Sequence, residues 1–201
     1  MVLRKVAAEF IGAFILAFAV ALSVGFNMSF PTPVLAGITL GLFVYTVGGL
    51  SGAHLNPAVT VALLTARKVK ANEAGLYIVA QLLAGWIAFM LAKQAGAELT
   101  GLSSGGNVVV GLFEALGTFI LAFGIASVVH SQTPAAAAGL VIGGSLTLGA
   151  FMASAVSAGA VNPAVAVGLG SVDPIYLLSP VVGAIAGVWT FEVLWNAKGR
   201  R

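Results

Sequence analysis

Six apolar runs, at 6–26, 34–50, 74–92, 108–129, 135–153 and 175–195, constrain this chain more than any other feature. Each approaches the ~20 residues that a helix needs to cross the hydrocarbon core of a bilayer. Two further apolar stretches, 56–66 and 162–170, are only about half that length. Charged residues make up 7% of the chain, against roughly 25% in soluble domains, so lipid rather than water is the expected solvent. The first run is too long for the core of a secretory signal and has Glu9 inside it, which predicts a retained membrane helix. The expected fold class is an all-α membrane protein, built as a single domain over 1–201.

Orientation follows from the basic residues. Arg4 and Lys5 precede the first run, Arg67, Lys68 and Lys70 separate the second from the third, and Lys198, Arg200 and Arg201 close the chain. With six spans all three groups fall on one side, which the positive-inside rule makes cytoplasmic. Both termini are therefore expected inside. The short connections suggest a prokaryotic cytoplasmic membrane. The net charge of +3 forms no basic face, so no nucleic-acid partner is expected. Without cysteine there is neither a disulfide framework nor a thiolate metal site, and no cofactor or metal is expected.

The two halves repeat each other, approximately 6–93 against 108–195. Glu9-Phe10-Ile11-Gly12-Ala13-Phe14 corresponds to Glu114-Ala115-Leu116-Gly117-Thr118-Phe119, and Asn56-Pro57-Ala58-Val59 corresponds to Asn162-Pro163-Ala164-Val165. Three spans per half is an odd number, so the second half enters the membrane inverted, an arrangement in which interrupted helices meet near the midplane. Each short stretch opens on Asn-Pro, a favoured N-cap followed by the one residue that loses nothing at the first helical position. If the asparagine oxygen caps its own half-helix, the amide NH2 is left to donate elsewhere. Non-helical backbone at membrane depth is tolerated only inside protein or along a water-filled cavity, so the carbonyls of 49–55 and 154–161 are expected along a lumen.

At these residues the chain resembles the aquaporin, or major intrinsic protein, family. The segment Ser51-Gly52-Ala53-His54-Leu55-Asn56-Pro57-Ala58-Val59-Thr60 is similar to the first family signature, and Asn162-Pro163-Ala164 to the second. The resemblance implies six transmembrane helices plus two half-helices around a pore, a homotetramer in the lipid bilayer, and Asn56 and Asn162 donating to the oxygen of each passing molecule. It also implies an outer selectivity filter at Ala36, Ala150, Gly159 and Val165. Water-selective members typically carry an aromatic at the first of these, histidine at the second and arginine at the last. Here the ring is predicted to be wide and uncharged, with Phe43 and Phe151 as side chains able to refill it.

Glu9 and Glu114 are carboxylates at membrane depth, where such groups are normally functional. A proton relay is the sharper reading; the resemblance favours acceptors for the backbone of the interrupted loops. His54 has no carboxylate, thiol or second histidine beside it in sequence, so loop packing or pore lining is preferred to a metal site or pH gate. His130, at the short loop 131–134, is expected to be solvated. Gly37/Gly41 and Gly183/Gly187 suit close helix packing, and Trp189 and Trp195 suit interfacial anchors.

The predicted function is a passive channel for water and small uncharged solutes such as glycerol, urea or metalloid hydroxides like arsenous acid. The alternatives are a channel specialised for arsenicals, including anionic or methylated species, and an ion-coupled secondary transporter, which also uses broken helices. A membrane protein with only a structural role is disfavoured by two intact signatures. No motif assembles a nucleophile with a base, so an enzyme is not expected.

Overall fold

The computed structural model describes residues 2–196. Six helical spans in it are long and apolar enough to cross a membrane, the fifth as Ala135–Ala153 with its leading turn included; their α-helices are α1 (Val2–Gly25), α2 (Thr32–Ser51), α4 (Ala71–Gln94), α5 (Val108–Val129), α6 (Ala138–Ala153) and α8 (Pro174–Asn196). Two short helices, α3 (Pro57–Thr65) and α7 (Pro163–Gly168), complete the set. The first span starts four residues earlier than the apolar run, because Arg4 and Lys5 extend the helix beyond it. The fifth run divides: Ala135–Ala137 form one 3-10 turn after Pro134, and α6 begins only at Ala138. The basic residues Lys198, Arg200 and Arg201 lie outside the described residues.

The halves interlock. Within each half the first helix packs on the last, α1 on α4 and α5 on α8, while α2 packs on α6 across the repeat. The half-helices cross over, α3 against α8 and α7 against α4. Glycine makes these approaches possible. A Cβ on Gly37 would collide with the Gly143 carbonyl, and a Cβ on Gly143 with that of Gly37, so α2 and α6 touch backbone to backbone. Gly41 meets the Gly139 carbonyl one turn away, and Gly183 and Gly187 meet the carbonyls of Ala115 and Phe119. The small-residue pairs therefore close contacts inside the protomer.

One expectation is corrected here. His130 is not simply solvated: it is half-buried at the end of α5, with Nε2 3.1 Å from Glu192 Oε1 of α8 and its ring against Phe191. Lys68 reaches the same Glu192 oxygen at 3.8 Å, joining the α3–α4 connection to α5 and α8. Trp189 Nε1–H donates to Thr65 Oγ1.

Candidate functional site

Each half-helix begins with the cap its sequence suggests. Asn56 Oδ1 accepts from Ala58 N at 2.8 Å, and Asn162 Oδ1 accepts from Ala164 N at 2.9 Å. Both asparagines are buried, at 3% and 2% exposure. Their amide groups bind across the repeat: Asn56 Nδ2 donates to the Val161 carbonyl and Asn162 Nδ2 to the Leu55 carbonyl, each at 3.0 Å. An amide NH2 has two N–H groups, so one remains on each asparagine after this exchange.

The exchange depends on an uncommon backbone. Leu55 and Val161, the residues just before the asparagines, adopt φ of 49° and 43°. The left-handed region is an outlier for a β-branched residue such as valine, and such residues persist only where the surroundings fix them. The fixing groups are the buried carboxylates. Glu9 Oε2 accepts from Leu55 N at 2.7 Å and from Gln81 Nε2 at 2.8 Å; its Oε1 accepts from His54 N and Ser51 Oγ. Glu114 Oε2 accepts from Val161 N at 2.6 Å, and its Oε1 from Ala160 N and Ser157 Oγ. The reversed peptide thus gives its N–H to the carboxylate of its own half and its carbonyl to the asparagine of the other.

Two cavities flank this junction. The smaller one, called outer here after the outer filter that the resemblance implies, has a volume of about 210 Å³ and is lined by Ala36, Ala150, Gly159, Val165 and Asn162 together with Leu16, Val20 and Leu146, and no charged side chain borders it. The inner one, about 1300 Å³, runs from His54 and Val59 to a mouth bearing Lys5, Arg67, Lys68 and Lys70. Asn56 lines neither and sits between them. The carbonyls of Gly52, Ala53 and His54 beside the inner cavity, and of Ala158, Gly159 and Ala160 beside the outer, accept no protein hydrogen bond among the described residues. They form two ladders of acceptors, one per half.

The side chains expected to be able to refill the outer ring stand elsewhere. Phe43 packs over Gly12, between α1 and α2, and Phe151 is 64% exposed; neither lines either of these two cavities. His54 lines the inner cavity, with Nδ1 3.1 Å from Thr60 Oγ1 and its ring edge-on to Tyr77. Sequence reasoning missed Gln81, which is fully buried and bridges Glu9 and Thr60; a polar amide inside the apolar run 74–92 was the available signal. No group of three or more metal-ligating side chains occurs among the described residues.

A membrane-embedded inverted repeat whose half-helices meet tip to tip between two cavities defines the class of transmembrane channels built on broken helices. The sequence matches the Major intrinsic protein family over residues 1–191. It is 35% identical over 211 aligned positions to Nodulin-26 of Glycine max, covering 96% of this chain and 78% of that protein. It is 32% identical to Aquaporin NIP1-1 of Zea mays, covering 96% and 75%. The fold is shared with the aquaglyceroporin from Plasmodium falciparum, solved by X-ray crystallography, at a TM-score of 0.76 and 18% identity, covering 98% and 96% of the two chains. The chain belongs to the major intrinsic protein family. It is a passive multi-pass membrane channel for water and small solutes, not an enzyme.

Proposed function

We propose that this channel passes small uncharged solutes larger than water, glycerol, urea and metalloid hydroxides such as arsenous acid among them, alongside water. The observation that carries this reading is the outer cavity. Its four ring positions are Ala36, Ala150, Gly159 and Val165, and its volume of about 210 Å³ is large against the ~10–15 Å³ that one water centre needs. Among its lining residues Ala158, Gly159 and Ala160 keep free carbonyl acceptors, and Asn162 keeps one N–H as a donor. Hydroxyl and amide solutes can donate to such a wall, whereas an anion finds acceptors facing it and no cation. That favours neutral permeants over anionic arsenicals. Both oxygens of Glu9 and of Glu114 are engaged by protein donors, which favours a passive pore over ion coupling.

In this reading Asn56 and Asn162 hand each solute across the midplane, where the positive ends of α3 and α7 disfavour cations. Glu9, Glu114 and His54 hold the loops, and the two repeats act as one domain. The mouth bearing Lys5, Arg67, Lys68 and Lys70 is the cytoplasmic one, with the termini on that side and the membrane a prokaryotic cytoplasmic one. The homotetramer usual in the family is adopted here as part of the proposal. Stopped-flow flux in proteoliposomes tests the reading: glycerol, urea and arsenous acid should all enter with rates linear in concentration. Water passage with all three excluded overturns it.

A further inference from the structure

We propose that the mouth of the inner cavity holds a site for a phosphate-bearing anion, anchored by Arg67 with Lys70 and Lys68 beside it. Such a site is independent of which solutes larger than water the pore admits.

Five helix ends among the described residues close with the same turn, in which the residue past the cap is left-handed and donates to the carbonyl three residues back, while the next residue donates five back. Asn27, Arg67, Gly96, Ser131 and Gly170 occupy the left-handed position. Glycine fits that backbone freely and asparagine tolerates it. Arg67, at φ 58°, is the one long side chain among them. Strain of this kind persists only where something offsets it. No protein group does so here: the Arg67 side chain is exposed, borders the inner cavity, and makes no hydrogen bond or ion pair among the described residues.

The charges around it are unevenly matched. Lys5, Arg67, Lys68 and Lys70 border the inner cavity against one carboxylate, Glu73. Glu73 is already held by Lys5 Nζ at 2.6 Å and by the Tyr77 hydroxyl at 3.3 Å. Glu192 is 3.1 Å from His130 and 3.8 Å from Lys68. Lys70, like Arg67, is exposed and forms no ion pair among the described residues. The positive-inside rule accounts for cations on this side of the membrane, but not for an arginine in a turn that favours glycine.

A guanidinium presents a planar fork that takes two oxygens of one phosphate, and an ammonium adds a point charge. A phosphate monoester carries about two negative charges at neutral pH, which matches the two cations left without a carboxylate. The phosphate can belong to a soluble compound or to a lipid headgroup of the adjoining leaflet. Held at this mouth, it stands in the entrance of the inner cavity and slows passage.

The test measures water flux in phosphatidylcholine vesicles and thermal unfolding in detergent, for the parent, Arg67→Gly and Lys70→Gln. Each is compared with pyrophosphate, with phosphatidic acid, and with potassium chloride at equal ionic strength. Glycine suits the left-handed turn, so Arg67→Gly should unfold no lower than the parent, which separates loss of the site from loss of the fold. In the parent the anion should raise the melting temperature by about 2–4 °C and lower water flux at least about twofold. Arg67→Gly should lose both responses and Lys70→Gln should weaken them. A response to pyrophosphate assigns a soluble phosphate, and a response to phosphatidic acid alone assigns a headgroup. No response beyond that to potassium chloride, an equal response in Arg67→Gly, or a thermal shift without a change in flux overturns the proposal. Exclusion of glycerol by the parent channel would touch the solute reading alone.

Discussion

Asn56 of the first half-helix donates to the carbonyl of Val161, the residue that precedes the second half-helix, at 3.0 Å. The same Val161 gives its N–H to Glu114 at 2.6 Å. The two halves of the chain are thus fastened through one left-handed peptide, and the mirrored contact from Asn162 to Leu55 repeats the fastening. Capping and crossing are both done by the same side chain. Asn162→Ala removes both, so it should destabilise the protein by about 2 kcal/mol, the sum of a lost cap and a lost net hydrogen bond. Thermal unfolding in detergent reads this out, and a melting temperature equal to that of the parent protein would show that the contacts carry no net stability.

The carboxylates belong to the same device. Glu9 accepts four hydrogen bonds and Glu114 three, and each oxygen of either group faces a backbone N–H. Glu114→Gln turns one acceptor into a donor pointed at Val161 N or Ala160 N. Leaving a buried donor unpaired costs about 1–3 kcal/mol, and the left-handed peptide loses its restraint. The yield of monodisperse protein should fall sharply, while whatever protein survives keeps the parent ratio of glycerol to water flux. A variant that folds normally yet changes solute preference would mean the carboxylate acts on the permeant.

Outside the spans, Asp173 ties the outer loop to the start of α8. Its carboxylate accepts from Ser104 N at 2.8 Å and from Ser104 Oγ, and caps the helix through Ile175 N. These hydrogen bonds, that from Ser104 N above all, hold its pKa below the usual carboxylate value of 3.8. A depressed pKa means the tie is complete above the unfolded-state value and is lost as pH falls through the folded one. Proteolysis of the loop 95–107 should therefore stay constant across neutral and mildly acidic pH and rise only below that range. In Asp173→Asn the cleavage should be faster at neutral pH and lose this acid dependence; identical profiles would assign the loop's order to other contacts.

Much of this arrangement was legible in the residues because membrane solvation leaves few options. Span length, the Asn-Pro caps and the matching glutamates are local or repeated features, and the caps form where Asn56 and Asn162 stand. The lumen-facing stripe was harder to see. Toward lipid α2 presents Ile38 and Leu42, and toward the lumen it presents Ala36 and Val44. Both faces are apolar, so no amphipathic period marks which residues line the passage. His130 was misjudged for a related reason: its partner Glu192 is remote in sequence and meets it only because α5 packs on α8. Phe43 and Phe151 looked able to narrow the ring because sequence spacing alone does not say which way a helix is rotated.

The rotation of α6 makes position 165 a sharp probe of the outer ring. Val165 is buried at the wall of the outer cavity, opposite Ala36 and Ala150 and near the free carbonyls of Ala158, Gly159 and Ala160. An arginine introduced there has five donors to offer those carbonyls and enough length to cross a cavity whose facing residues are alanines. Val165→Arg should therefore lower glycerol and urea flux about tenfold while leaving water passage largely intact, a barrier rise of ~1.4 kcal/mol for the larger solutes. Cation leak, measured as dissipation of a potassium gradient, should not increase, since a fixed positive charge has been added. Stopped-flow light scattering on the parent and variant channels checks the first outcome. If glycerol and water fell in equal proportion, the arginine would be blocking the pore outright, and the small residues at 36 and 150 would not be what leaves room for larger solutes.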